Sequence, residues 1–143
     1  MIERGETAVP DEAALVADAT AALAQAYAPY SRFPVGAALR ARSGRVYRGA
    51  NVENASLGLS ICAERSAVFV AVAAGERAFE AIAIVSKAPE ATPPCGACRQ
   101  VLLEFGADDL VVLLATTQKA GRIERHTLGA LAPHAFRRFE PGA

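Results

Sequence analysis

Three cysteines constrain this chain more than any other feature. Cys62, Cys95 and Cys98 are the only cysteines among its 143 residues, and they fall in two short segments. Cys62-Ala63-Glu64-Arg65 opens one apolar helical stretch, and Pro94-Cys95-Gly96-Ala97-Cys98-Arg99-Gln100 opens another. Both follow loop-like stretches, so both cysteine groups stand near helix N-termini. The helix dipole and the unpaired N–H groups favour anions there. A thiolate is an anion, and its pKa falls in such a place. Cys95 and Cys98, three positions apart, face one side of a helical turn. Three thiolates converging on one point suit Zn²⁺, a borderline-soft ion with a tetrahedral preference.

The ligand count then separates structure from chemistry. A structural zinc site is closed by four protein ligands, whereas a catalytic one keeps a position open for water. There is no fourth cysteine, and neither His126 nor His134 stands at ligand spacing from the two segments. Zinc lowers the pKa of a bound water. Glu64, two residues from Cys62, is placed to take that proton and hand it to a substrate. Two other readings stand beside this one, because Cys-x-x-Cys alone is shared with redox motifs and zinc ribbons. A non-catalytic zinc-binding module would leave Glu64 without a purpose. A thioredoxin-like redox protein would leave both Glu64 and the third cysteine unused.

Composition narrows the partners. Lysine plus arginine total 15, as do aspartate plus glutamate, so the formal net charge is zero. Nucleic-acid binders usually carry a basic patch or stripe, so no nucleic-acid partner is expected. Arg137-Arg138 reads as a solvated face of a C-terminal helix. No apolar run reaches bilayer-spanning length, so no membrane association is expected. Met1 to Glu6 is charged with no apolar stretch after it, so no signal peptide is expected. The cytoplasm is the expected location, and a reducing compartment disfavours disulfides.

The chain reads as one domain, residues 1–143, without repeats or linkers. A helix opens at Pro10-Asp11-Glu12 and ends near Ala28-Pro29, with Leu15, Ala19, Ala22, Leu23 and Ala26 along one face. Val35 to Arg42 and Arg45 to Val52 read as strands joined at Ser43-Gly44. Ile61 to Ala74 is apolar on nearly all sides, as in a buried helix. Phe79 to Val85 reads as a strand covered on both faces. A helix over Gly96 to Phe105 follows, then a strand over Leu110 to Ala115. Arg122 to Leu128 pairs back on that strand through Lys119-Ala120-Gly121, and a last helical piece follows Pro133. The order α-β-β-α-β-α-β-β-α implies a mixed sheet with helices packed on it.

Cys-Ala-Glu followed by Pro-Cys-x-x-Cys is the zinc-deaminase pattern in its three-cysteine form. With Pro29-Tyr30-Ser31-Arg32-Phe33-Pro34-Val35-Gly36-Ala37-Ala38 and Asn51-Val52-Glu53-Asn54-Ala55, the chain resembles the cytidine deaminases of the small homotetrameric type, from about Pro29 to Phe136. The resemblance implies a three-layer α/β/α sandwich with a five-stranded mixed sheet and one Zn²⁺ per chain on Cys62, Cys95 and Cys98. It also implies hydrolysis of free cytidine and 2′-deoxycytidine to the uridine forms, in pyrimidine salvage.

By position, Glu64 is then the proton carrier, Asn51 and Glu53 hold the sugar 3′-hydroxyl, and Phe33 lies beside the base. The Ala63 backbone meets the pyrimidine carbonyl, and Phe136 of a neighbouring subunit covers the base. Arg65 offsets the excess negative charge of three thiolates. The family often has a tyrosine-proline pair where this chain has Leu57-Gly58, which bears on loop contacts and subunit packing. Pro93 before Pro94 departs from the commoner serine. A deaminase for another small aminopyrimidine, such as blasticidin S, is the nearest rival; Asn51, Glu53 and Arg65 favour cytidine.

Overall fold

Alternation along the strands decides which side of the sheet each helix occupies. In the computed structural model, which describes residues 10–137 together with 139 and 141, five strands form one sheet in the order β2-β1-β3-β4-β5. They are β1 Val35–Ala41, β2 Val46–Ala50, β3 Phe79–Ser86, β4 Val111–Thr116 and β5 Glu124–Thr127. β3 and β4 run parallel, and the other neighbours run antiparallel, so the sheet is mixed. The four α-helices are α1 Pro10–Ala22, α2 Ala63–Ala73, α3 Gly96–Phe105 and α4 Leu128–Leu131.

One set of alternate strand residues, Ala38, Ala81, Ala83, Val85, Leu113 and Ala115, packs with Leu15 and Ala19 of α1. The other set, Ala37, Leu39, Ile82, Ile84, Val112 and Leu114, packs with Ala63, Ala67, Val68 and Ala71 of α2 and with Leu102 and Leu103 of α3. Helices therefore cover both faces, which is the α/β/α sandwich with the five-stranded sheet. Small residues bring the layers close. A Cβ on Gly36 would lie 2.1 Å from the Ala19 carbonyl oxygen of α1, and one on Gly49 would lie 2.3 Å from the Ala67 nitrogen of α2.

Several boundaries differ from the sequence reading, and the larger shifts follow from hydrogen bonds. The first helix stops at Ala22 and tightens into a 3₁₀ turn, Leu23–Gln25, short of the expected Ala28-Pro29. Tyr27 is drawn away because its N–H donates to the Asn51 carbonyl at 2.9 Å and its carbonyl accepts from Glu53 N at 2.9 Å. β2 ends at Ala50, while Val52 forms isolated bridges to Tyr27 and Ile61. Ile61 is thereby extended, so α2 starts at Ala63 with Cys62 as its N-cap.

The last helix comes before Pro133, not after it. Thr127 caps it, its hydroxyl accepting from Ala130 N at 3.3 Å. The segment beyond Pro133 is not helical through Arg137. Arg137 pairs with Asp108, so it is no helix-face cation, and Arg138 lies outside the described residues, as do Met1 to Glu6. α2 is also less enclosed than its composition suggested. One face is buried, but Phe69 and Val70 keep 51% and 49% of their surface exposed, because the sheet covers only one side of a helix in an outer layer.

Candidate active site

Both expected helix starts are present, and each places a cysteine at its N-cap. Cys62 caps α2 and Cys95 caps α3, both with extended backbone and neither with a side-chain cap bond. Their sulfurs are therefore free to turn toward each other. Cys98 sits in the first turn of α3 and is fully buried. The three Sγ atoms lie within 4.8 Å of one another. Cys62 Sγ and Cys95 Sγ are 3.9 Å apart, far beyond a disulfide bond of about 2.05 Å. Tetrahedral Zn–S bonds of about 2.3 Å would set sulfurs about 3.8 Å apart. The donor set, its soft chemistry and its spacing thus fit one Zn²⁺. Cys62 is half-buried and Cys95 exposed, so the cluster opens to solvent on one side.

The electrostatics of the bare sulfurs favour a cation among them. A hydrogen bond from Cys98, followed by the guanidinium of Arg65, draws the Cys62 thiol down to about 5 against the opposing effect of burial. Cys98 is pushed up, by its bond to the Cys62 sulfur first and then by burial and the Glu64 charge. Cys62 and Cys98 thus oppose each other's ionisation, and a divalent ion between them offsets that repulsion.

Glu64 lies in the first turn of α2 with only 5% of its surface exposed. Burial raises its pKa to about 7, and the Cys62 thiolate adds to the rise. Ala63 is fully buried beside it. Arg65 Nη2 donates to Cys62 Sγ at 3.3 Å, and this bond chiefly raises the arginine's pKa. Its Nε is buried without a partner among the described residues.

Asn51, Glu53 and Phe33 gather at the loop before β1. Asn51 Oδ1 accepts from Val35 N at 2.9 Å, and its Nδ2 donates to the Phe33 carbonyl at 2.8 Å. Glu53 Oε1 accepts from Tyr30 N and Ser31 N at 3.0 and 3.1 Å, and its Oε2 accepts from the Ser31 hydroxyl. These bonds, the Ser31 hydroxyl first, hold the Glu53 carboxyl below its usual range. Phe33 and Phe136 present exposed rings, Phe136 at 66%. Phe136 therefore does not fold back on its own core. Leu57-Gly58 belong to a 3₁₀ turn whose Leu57 and Leu59 are exposed. His126 bonds Glu124 at 3.0 Å on β5 and is not part of the cysteine cluster; nor is His134.

Two residues of the zinc motif have contacts the sequence did not reveal. Arg99 Nε donates to the Pro94 carbonyl at 2.8 Å, and its Nη1 donates to the Leu131 carbonyl. Gln100 Nε2 donates to the Phe136 carbonyl at 2.8 Å. Together they tie the end of α4 and the chain beyond it to α3, which Cys95 caps and which carries Cys98. The only sequence signal was their adjacency to Cys98; partners more than thirty positions away leave no local trace.

Fold and cluster together define an α/β zinc enzyme with two helix N-termini at its metal site. A family model described as "Cytidine and deoxycytidylate deaminase zinc-binding region" matches residues 10–114. A cytidine deaminase of Halalkalibacterium halodurans is 49% identical over 126 residues, 88% of this chain and 94% of that one. One of Sporosarcina psychrophila is 48% identical over 122 residues, 85% and 88% of the two chains. The crystal structure of cytidine deaminase from Burkholderia pseudomallei has a TM-score of 0.82 at 51% identity, covering 87% of this chain and 98% of that one. The chain belongs to the cytidine deaminase family.

Proposed function

We propose that the protein hydrolyses free cytidine and 2′-deoxycytidine to uridine and 2′-deoxyuridine, releasing ammonia, in pyrimidine salvage. The observation that carries this is the buried Glu64 beside a three-cysteine zinc cluster that is open on one side. Zinc, when bound, makes a water acidic enough to lose a proton near neutral pH. Glu64 takes that proton, passes it to the ring nitrogen, and returns protons to the departing amine. Oxygen from water replaces the exocyclic nitrogen at the ring carbon, and no redox change occurs. A carboxyl shifted to about 7 is suited to both taking and giving a proton at neutral pH.

The remaining roles are those that the family resemblance implies for these positions. The Ala63 backbone meets the pyrimidine carbonyl, and Phe33 stacks on the base. Asn51 and Glu53 hold the sugar through its 3′-hydroxyl; Asn51 keeps one N–H and one lone pair beyond its loop bonds. Arg65 offsets the charge of the thiolates. Four copies assemble into a homotetramer with composite sites, Phe136 of one copy covering the base in another. The exposed Phe69, Val70, Leu57 and Leu59 supply apolar surface for such contacts. Among the described residues no helix is long and apolar enough to cross a membrane. The proposed location is the cytoplasm, and the proposed partners exclude nucleic acid.

The test is an ultraviolet assay for cytidine loss, with zinc measured on the same sample. Deamination at about one zinc per chain is expected. A zinc-loaded protein that leaves cytidine untouched, or turnover in a metal-free one, overturns the proposal.

A further inference from the structure

Ser31 holds the two ends of the nucleoside contact region together. Its hydroxyl bonds Glu53 Oε2 on one side and lies 3.0 Å from Phe33 N on the other. The direction of these bonds is forced. A backbone N–H only donates, so the Ser31 oxygen accepts from Phe33, and its single proton goes to the carboxylate. The Phe33 carbonyl is held separately by Asn51 Nδ2 at 2.8 Å. The backbone of Phe33 is thus gripped from both sides by polar side chains.

The same bonds limit what Glu53 has left to offer. An ionised carboxylate has about four acceptor positions. Tyr30 N, Ser31 N and the Ser31 hydroxyl occupy three of them. One position remains, and it accepts a single further donor. A lone sugar hydroxyl suits it. Ser31 and Phe33 are exposed and Glu53 is half-buried, so none of these bonds is needed to satisfy a buried core group. Their effect is to orient.

We infer that Ser31 is a positioning residue for nucleoside binding, setting the Glu53 carboxylate and the Phe33 ring in one fixed relation through its hydroxyl. The inference rests on the proposed contact of Glu53 with the sugar. A free carboxylate would rotate and use its acceptor positions on water. A free Phe33 backbone would let the ring wander from the base plane. Both losses fall on binding, since Glu64 and the cysteines are untouched.

The experiment compares Ser31→Ala, Ser31→Thr, Glu53→Gln and the Ser31→Ala/Glu53→Gln double variant, all zinc-loaded, with cytidine as substrate. Ser31→Ala should raise KM about tenfold, the effect of losing one bond to a charged group, with kcat within about twofold. Ser31→Thr, which keeps the hydroxyl, should restore most of the KM. The double variant should be little worse than Glu53→Gln alone, because the serine acts largely through that carboxylate. Thermal midpoints read alongside separate binding from folding. An unchanged KM in Ser31→Ala overturns the inference, as does a loss of kcat or thermal stability without a rise in KM. If Glu53→Gln itself leaves KM unchanged, the sugar contact is wrong and the inference falls with it. If Glu53→Gln raises KM but Ser31→Ala does not, only the inference fails.

Discussion

Arg65 and Glu64 are adjacent in sequence yet face opposite electrostatic demands. Glu64 is buried beside a thiolate, and both burial and that charge favour its protonated form. Glu64→Gln keeps the shape but cannot take a proton. Turnover should fall by at least about 10²–10⁴-fold, with fold and zinc retained, as read by circular dichroism and metal analysis. Arg65 donates to the Cys62 sulfur and spreads positive charge over a cluster whose three thiolates outweigh one divalent ion. Removing it should cost turnover or zinc about tenfold, the worth of a hydrogen bond to a charged group, and should shift the pH–rate profile. Arg99→Ala is the comparison. Its guanidinium bonds carbonyls of Pro94 and Leu131 rather than sulfur, so it should affect the zinc–water step less. An unchanged profile and zinc content in Arg65→Ala would refute charge compensation.

At the scale of elements, the site depends on how closely α2 rests on β2. The helix start carries Cys62, Ala63 and Glu64, so any lift of α2 moves all three relative to Cys95 and Cys98. Gly49 is where that lift is prevented. A Cβ there would come within 2.3 Å of Ala67 N and 2.7 Å of the Ala63 carbonyl oxygen. Both are helix backbone, which cannot rotate aside as a side chain can. Gly49→Ala should destabilise the fold by about 3 kcal/mol, the upper range for overpacking, measured by denaturant unfolding. Zinc retention should fall as well. Gly44, with φ of +94° and open space around it, also resists substitution, but only through backbone strain at a surface turn. Gly44→Ala should leave zinc retention intact, which separates a displaced α2 from a generally weakened fold.

At the scale of the whole molecule, a single chain leaves its proposed base contacts uncovered. Phe33 and Phe136 are exposed, and Phe69, Val70, Leu57 and Leu59 add apolar surface on the α2 side chains and the preceding turn. Gln100 anchors the Phe136 backbone to α3 while the ring stays free, an arrangement suited to reaching a second copy. Light scattering should give about four times the 14.9 kDa chain mass. Phe136→Ala should weaken substrate binding without removing zinc. An active monomer at assay concentration would overturn both expectations.

The metal cluster was legible in the sequence because its determinants are local. Cysteine at a helix start, glutamate two residues later and Pro-Cys-x-x-Cys each carry their chemistry within one turn, whereas the sandwich layers were implied by the family resemblance rather than by the strand pattern. Long-range backbone pairing was not legible. Tyr27 leaves the first helix because Asn51 and Glu53 hold its peptide groups. The last helix closes at Leu131, where Arg99 takes its carbonyl. Ser31 acquires its place from Glu53, twenty-two residues away. A periodic pattern records which side of an element is apolar, but not which distant donor meets which carbonyl. Only the folded chain decides that, because an exposed hydrogen bond is worth little on its own and forms where packing has already brought its partners together.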